Sequence, residues 1–247
     1  MKHHITAIFI ILLIATLRTE AAVEPDSVIR DVEQCAQAIK SVSIDSCHNI
    51  AQTWVEGISG DDLLAYTAYA ENIMYTPYCT QQERIVYRTL LARLLQSGMD
   101  ELRLLRYRYQ YEQLSHNNEG ERAIDFTYYD INDNSYLLSQ HIGNKTLIIF
   151  NDPGCEECAI LRQHIITQNE IGGETIDSTT TVIIIYPDLP TDEWREAVSH
   201  YPAHWIVGYS DEVIDLYDLR TLPSTYILDT QHIILQRNTH TYITDKL

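Results

Sequence analysis

One segment limits the architecture of this chain more than any other. Thr146-Leu147-Ile148-Ile149-Phe150 is an apolar run that passes through Asn151-Asp152-Pro153-Gly154 straight into Cys155-Glu156-Glu157-Cys158. A short apolar run closed by a Pro-Gly turn signal describes a strand buried on both faces. A helical stretch, Cys155 to Gln168, follows, so two sulfurs three residues apart share one helix end. The positive pole and free N–H groups of that end favour a thiolate. The first sulfur is placed to attack a disulfide; the second, one turn on, is placed to attack the mixed disulfide and release it. Two other readings compete. A static bridge across so small a loop constrains the unfolded chain little. Zinc needs more ligands than one pair supplies, and His164 lies on the same helical stretch.

The flanking sequence divides into two grammars. Residues 26–115 read helical almost throughout, as a small bundle. Val28, Ile29, Val32, Cys35, Ala36 and Ile39 recur at helical steps, and "DDLLAYTAYAENIMY" opens with acidic residues. "TQQERIVYRTLLARLLQSG" has Thr80 as an N-cap and Gly98 as a stop, and "DELRLLRYRYQYEQL" follows. Tyrosines such as Tyr66 with Tyr69 and Tyr107 with Tyr111 fall at helical spacing, which indicates core packing. The polar stretch "SHNNEGE" is the linker, dividing a helical domain, 24–116, from a second domain, 117–247. Beyond it, "FTYYDI", "TLIIF", "TVIIIY", "TYILD" and "HIILQ" read as strands, alternating with helices over 155–168, 192–200 and 211–216. The expected fold there is an α/β sandwich with a mixed central sheet.

The N-terminus carries Lys2, an apolar run from Ile5 to Leu17, and small residues at Thr19 and Ala21. This predicts a secretory signal peptide over residues 1–21, since the run is shorter than the roughly 20 residues that span a bilayer. The mature chain is then expected outside the cytoplasm, in a compartment where disulfides persist. Cleavage removes Lys2, Arg18 and Glu20, taking the formal charge from −18 to −19. That excess excludes nucleic acid and anionic membrane as partners, because both require a basic footprint. Five cysteines leave three in the helical half, Cys35, Cys47 and Cys79, of which two are expected to bridge.

Far along the chain, "RTLPSTYILD" sets Leu222-Pro223 just before a strand. A cis X-Pro bond is a ready way to turn the chain there. With the cysteine pair in strand–turn–helix order upstream, residues 120–247 resemble the thioredoxin-like superfamily, nearest its peroxiredoxin-related and TlpA-type envelope branch. The matching stretches are "GERAIDFTYYD", "KTLIIFNDPGCEEC", "VIIIYPD" with Trp194 beyond it, and "YDLRTLPSTYILD". The stretches "QQERIVYRTLLARLL" and "RYRYQYEQLSHNNEGERAIDFTY" resemble the helical domain of uncharacterised function that precedes such domains in secreted bacterial proteins. The resemblance implies a thioredoxin-like fold with Cys155 as nucleophile, Cys158 as resolving cysteine and Pro223 as a cis proline facing the substrate. Leu222, Pro153, Glu156 and Glu157 are then residues that tune the site. It implies no cofactor beyond the Cys155–Cys158 disulfide itself. Its partners would be disulfide-containing proteins of a bacterial periplasm or cell envelope and an upstream thiol electron donor.

Departures from the family pattern carry information. Gly154 replaces the usual aromatic residue, Glu156-Glu157 replaces the usual Gly-Pro, and the closing helix is expected to be reduced or missing. A helix N-terminus contributes roughly 0.3–1 kcal/mol to an adjacent negative charge. Two glutamates at about 7 Å oppose it by ~0.6 kcal/mol each in water. The effects are comparable, so the expected Cys155 pKa is nearer that of a free thiol and the site sits on the reducing side. Two rival functions follow from the same residues. One is a thiol peroxidase, although Asp152 stands where the resembling peroxidases have threonine. The other is a redox-weak adaptor whose helical domain recognises an envelope partner. His204, beside Trp205, is a further candidate for lining the site.

Overall fold

The computed structural model describes residues 25–141 and 143–238. The expected signal peptide, 1–21, and the stretch after Asn238, where the closing helix was in question, lie outside the described residues. Two compact units divide between Ser115 and His116.

The first unit contains helices α1 (Pro25–Ile39), α2 (Ile44–Glu56), α3 (Leu63–Met74), α4 (Gln81–Leu95) and α5 (Glu101–Leu114). Helix α1 buries Val28, Val32, Cys35, Ala36 and Ile39, the stripe its periodicity predicts. Helix α4 starts with a capping box, in which the Thr80 side chain accepts from the Glu83 N–H and Glu83 accepts from the Thr80 N–H. Such a cap contributes about 1 kcal/mol. Buried Val86, Tyr87, Leu90, Leu91 and Leu94 of α4 share one core with Tyr66 and Tyr107. Helix α2 was not singled out in the sequence, although Ser43 caps it by accepting from the Ser46 N–H.

The cysteines of this unit correct an expectation. Cys35, Cys47 and Cys79 are all buried, with no bridge among them. Burial pushes the Cys35 thiol far up, helped by Cys47 and Asp31, and pushes Cys47 up to about 11. Cys47 Sγ donates to the Gln82 carbonyl at 3.5 Å. Cys35 and Cys47 therefore stay protonated and pack as small apolar side chains, since exchange requires a thiolate.

The second unit is a seven-stranded mixed sheet in the order β2-β1-β7-β6-β3-β8-β9. Its strands are β1 (Thr127–Tyr129), β2 (Ser135–Leu137), β3 (Lys145–Phe150), β6 (Thr180–Tyr186), β7 (Ile206–Tyr209), β8 (Ser224–Asp229) and β9 (Ile234–Arg237). A separate small hairpin pairs β4 (Glu170–Ile171) with β5 (Glu174–Thr175). Central β3 runs parallel to β6 and antiparallel to β8. Helix α6 (Glu156–Gln168) packs Leu161 and Ile165 against one sheet face, with Ile149, Ile184 and Ile227. The other face buries Phe150, Tyr217, Tyr226 and Leu228 beside Val213 of α8 (Val213–Leu216). Helix α7 (Asp192–Val198) lies between β6 and β7 in sequence.

Strand β7 escaped the sequence reading because Gly208 interrupts it. A Cβ there would stand 2.5 Å from the Tyr128 ring and 2.7 Å from the Tyr129 carbonyl oxygen, so close approach of β1 requires glycine.

Below this sheet lies a buried ionic group. Asp218 accepts from Arg220 Nε at 2.7 Å and from Arg237 Nη2 at 2.6 Å. Burial raises the Asp218 pKa, but the hydrogen bond and charge of Arg220 and the charge of Arg237 outweigh it and hold the carboxyl below its usual value. Its contribution is complete above the unfolded value of about 3.9 and is lost as pH falls through the lower folded value. Asp218→Asn is expected to lower the unfolding free energy at neutral pH by about 3–5 kcal/mol, because buried arginine charge loses its partner. Urea denaturation as a function of pH checks this: the acid-limb slope assigned to Asp218 should disappear in the variant.

Candidate redox site

Strand β3 ends at Phe150, and the chain turns over Asp152-Pro153-Gly154-Cys155. The Cys155 N–H donates to the Asp152 carbonyl at 3.2 Å, with Pro153 at the second turn position where its fixed φ is favourable. Asp152 Oδ1 also accepts from the Gly154 N–H at 2.7 Å. Cys155 is the N-cap residue of α6, and its Sγ accepts from the Cys158 N–H at 3.1 Å. A sulfur thus occupies the place where a side-chain oxygen usually satisfies a helix terminus.

Cys155 and Cys158 form a disulfide with Cα atoms 5.2 Å apart. Cys155 is half-buried, whereas Cys158 is only 2% exposed. The Leu222–Pro223 peptide bond is cis. The Leu222 carbonyl oxygen stands 3.5 Å from Cys155 Sγ, across 67 residues of sequence. Of the residues marked by the sequence reading, Pro153, Cys155, Glu156, Glu157, Cys158, Leu222 and Pro223 gather at the N-terminal end of α6.

The electrostatic surroundings are acidic. Glu157 Oε2 stands 3.9 Å from Cys155 Sγ, much nearer than the spacing assumed from sequence. Glu156 is exposed beside it. A Cβ on Gly154 would lie 3.8 Å from Glu193 Oε1, so α7 adds a further carboxylate to Asp152, Glu156 and Glu157 at the turn. Burial raises the Tyr186 phenol pKa, and Asp152, Asp188 and Glu193 raise it further, so these carboxylates share one neighbourhood. Among the described residues, no ion pair includes Asp152, Glu156, Glu157, Asp188 or Glu193. Nor does any group of three His, Cys, Asp or Glu there have an arrangement that could hold a metal ion. His164 is half-buried on α6. His204 is exposed, edge-on to Trp205 at 6.4 Å, and precedes the start of β7 rather than its site-proximal end.

Three residues under the site escaped the sequence reading. Buried Asn151 donates from Nδ2 to the Tyr201 hydroxyl at 2.6 Å. Arg162, one turn beyond Cys158, lies 5.0 Å from the Tyr201 ring centroid. Burial raises the Tyr201 pKa, while Arg162 and Asn151 lower it. This trio ties the loop after α7 to the end of β3 and the first turns of α6. The polar Asn151 at the end of an apolar run was its one visible signal.

No family model and no curated protein matches the chain. A solved thioredoxin-like protein from Bacteroides caccae is similar over 92% of this chain and 85% of its own, with 23% identity and a TM-score of 0.73. The second unit has a thioredoxin-like fold. The C-terminal domain of an uncharacterized protein from Bacteroides fragilis is 32% identical over 52% of this chain and 94% of its own, with a TM-score of 0.46. The thioredoxin domain of a thiol-disulfide oxidoreductase from Bacteroides vulgatus is 20% identical over 49% of this chain and 88% of its own, with a TM-score of 0.39. In this thioredoxin-like domain the disulfide, the cis proline and the helix N-terminus meet at one end of the sheet.

At 3.9 Å, one glutamate opposes a thiolate by ~1 kcal/mol even in water, as much as the helix end supplies. Ultraviolet titration of the reduced thioredoxin-like domain within the full chain should place the Cys155 midpoint near the free-thiol value of about 8.5. Glu157→Gln should lower it by about 0.5–1 unit, and Glu156→Gln by less. A midpoint well below neutrality in the unsubstituted protein would defeat this account.

Proposed function

We propose that the chain is an exported thiol–disulfide oxidoreductase working on the reducing side of envelope disulfide exchange. The observation that carries this reading is the asymmetry of the pair: Cys155 is accessible, caps the N-terminus of α6 and lies 3.5 Å from the Leu222 carbonyl, while Cys158 is buried one turn behind. In the dithiol form, the Cys155 thiolate attacks one sulfur of a substrate disulfide, and the other substrate sulfur leaves with the electron pair and takes a proton. Cys158, deprotonated, then attacks Cys155 Sγ, releasing the second substrate thiol and forming the Cys155–Cys158 disulfide. The substrate has gained two electrons, and an upstream thiol donor returns two to the site. The redox group is the disulfide itself. Pro223 faces the incoming substrate, with the Leu222 carbonyl as an acceptor beside the reacting sulfur.

An exported location is supported by the basic start and apolar run at residues 2–17. Among the described residues, no helix is long and apolar enough to cross a membrane. Disulfide-containing proteins of a bacterial periplasm or envelope are the proposed substrates. The acidic surround suits a reducing role, since it leaves the dithiol form without extra stabilisation of the thiolate.

One observation favours the adaptor reading as a second possibility. Helix α5 exposes Leu102, Leu105 and Tyr109 at three- and four-residue steps, with 84%, 65% and 54% of their surfaces accessible. An apolar stripe of this kind suits partner binding.

Reduction of insulin disulfides by the purified protein with a small dithiol donor separates the two. The oxidoreductase reading expects turnover that Cys155→Ser abolishes. Cys158→Ser, expressed in the native envelope, should accumulate mixed disulfides through Cys155. Absence of both turnover and trapped species would leave the adaptor.

A further inference from the structure

Thr225 is 1% exposed, and among the described residues its hydroxyl has no hydrogen-bond partner in the disulfide form. A buried hydroxyl in this condition is costly, so its position calls for an explanation. The register supplies one. Thr225 lies directly opposite Ile149, near the end of β3. Along β8, Tyr226 and Leu228 face the core layer of Phe150 and Tyr217, whereas Ile227 faces the layer covered by Leu161 and Ile165 of α6. Strand alternation sets Thr225 on the same face as Ile227, with Ile149, under α6.

Helix α6 begins immediately beyond the turn that closes β3, at the end of the sheet where Ile149 and Thr225 pair. Cys158 is the first buried residue of α6, one turn ahead of Leu161. Other buried polar groups near this end are already committed. Asn151 donates to Tyr201, and Ser224, on the opposite face, donates to the Asp218 carbonyl and to Asn238 Oδ1. The Asp218 carboxylate is held by Arg220 and Arg237 on that opposite side.

We infer that the Thr225 hydroxyl is the hydrogen-bond donor to the Cys158 sulfur once the disulfide opens. When an external thiolate attacks Cys155 Sγ, the S–S bond breaks and Cys158 leaves with the electron pair, as a thiolate in an apolar site. Thr225 donates to that sulfur until it takes a proton, and again when a proton is withdrawn for the resolving attack. The orphan state of the hydroxyl belongs to the disulfide form; reduction relieves it. Thr225 thus biases the couple toward the dithiol. This inference rests on the exchange chemistry proposed above and names a further participant in it.

The test is redox equilibrium of the full chain with the glutathione couple, measured apart from insulin turnover. Small thiols report the couple whether or not a protein substrate is found, so failure of the oxidoreductase reading and failure of this inference remain distinguishable. Thr225→Val keeps the shape and removes the hydroxyl. It is expected to shift the equilibrium about 2- to 10-fold toward the disulfide, tenfold corresponding to about 30 mV for two electrons. Thr225→Ser should stay close to the parent. Thermal melts add a signature that packing alone does not produce: T225V should melt no lower than the parent as disulfide and lower as dithiol. In the parent protein, proton NMR should show a slowly exchanging Thr225 hydroxyl only after reduction. An unchanged equilibrium in T225V, equal melting shifts in both redox forms, or a hydroxyl signal indifferent to reduction would overturn the inference. Should T225V fail to fold, the NMR comparison on the parent decides alone.

Discussion

Strand β3 is held between a parallel and an antiparallel neighbour, and its pairing with β8 places Phe150 opposite Ser224. The end of one strand and the start of the other therefore lie at the same edge of the sheet. The turn leading to Cys155 and the Leu222–Pro223 corner must emerge side by side, although 67 residues separate the contacting groups. The same register sets the two core layers, because a slip of one residue would exchange every inward side chain of β8 between faces. Ile227 would leave the layer under α6 and Tyr226 would leave the aromatic cluster with Phe150 and Tyr217. Neither the fold nor the site survives without that pairing.

On this frame the chemistry is a contest of short-range charges. The N-terminus of α6 directs N–H groups at Cys155, and the Cys158 N–H reaches its sulfur. Glu157 answers at 3.9 Å, with Glu156, Asp152 and Glu193 around the same turn. Because the opposing terms are each about 1 kcal/mol, neither dominates, and small changes of solvent exposure or partner charge decide the balance. A partner that covers the rim would strengthen both terms by lowering the local dielectric.

Much of this was legible before any coordinates. The apolar run ending at Phe150, the Pro153-Gly154 turn and the spacing of Cys155 and Cys158 located a strand, a turn and a helix start, because local chemistry controls each of them. Thr80 marked the start of α4 for the same reason. The failures have physical causes too. Strand β7 was hidden because Gly208 serves a close approach from β1, a contact with no trace in local periodicity. The thiols of Cys35, Cys47 and Cys79 could be counted, but whether they meet depends on how the helices pack, and packing leaves them buried and apart from exchange. Asn151, Tyr201 and Arg162 come from three separate segments, so their association is a product of tertiary structure alone.

For "FNDPGCEEC" itself, the sequence determined the order of elements, the helix-end position of both sulfurs and the presence of two glutamates between them. These follow from backbone geometry within a few residues. Tertiary structure decided which sulfur faces outward, that Glu157 turns toward it, that Leu222 presents its carbonyl to it, and that the buried Thr225 hydroxyl has no partner among the described residues. Those outcomes depend on strand register and side-chain burial, which no stretch of sequence carries by itself.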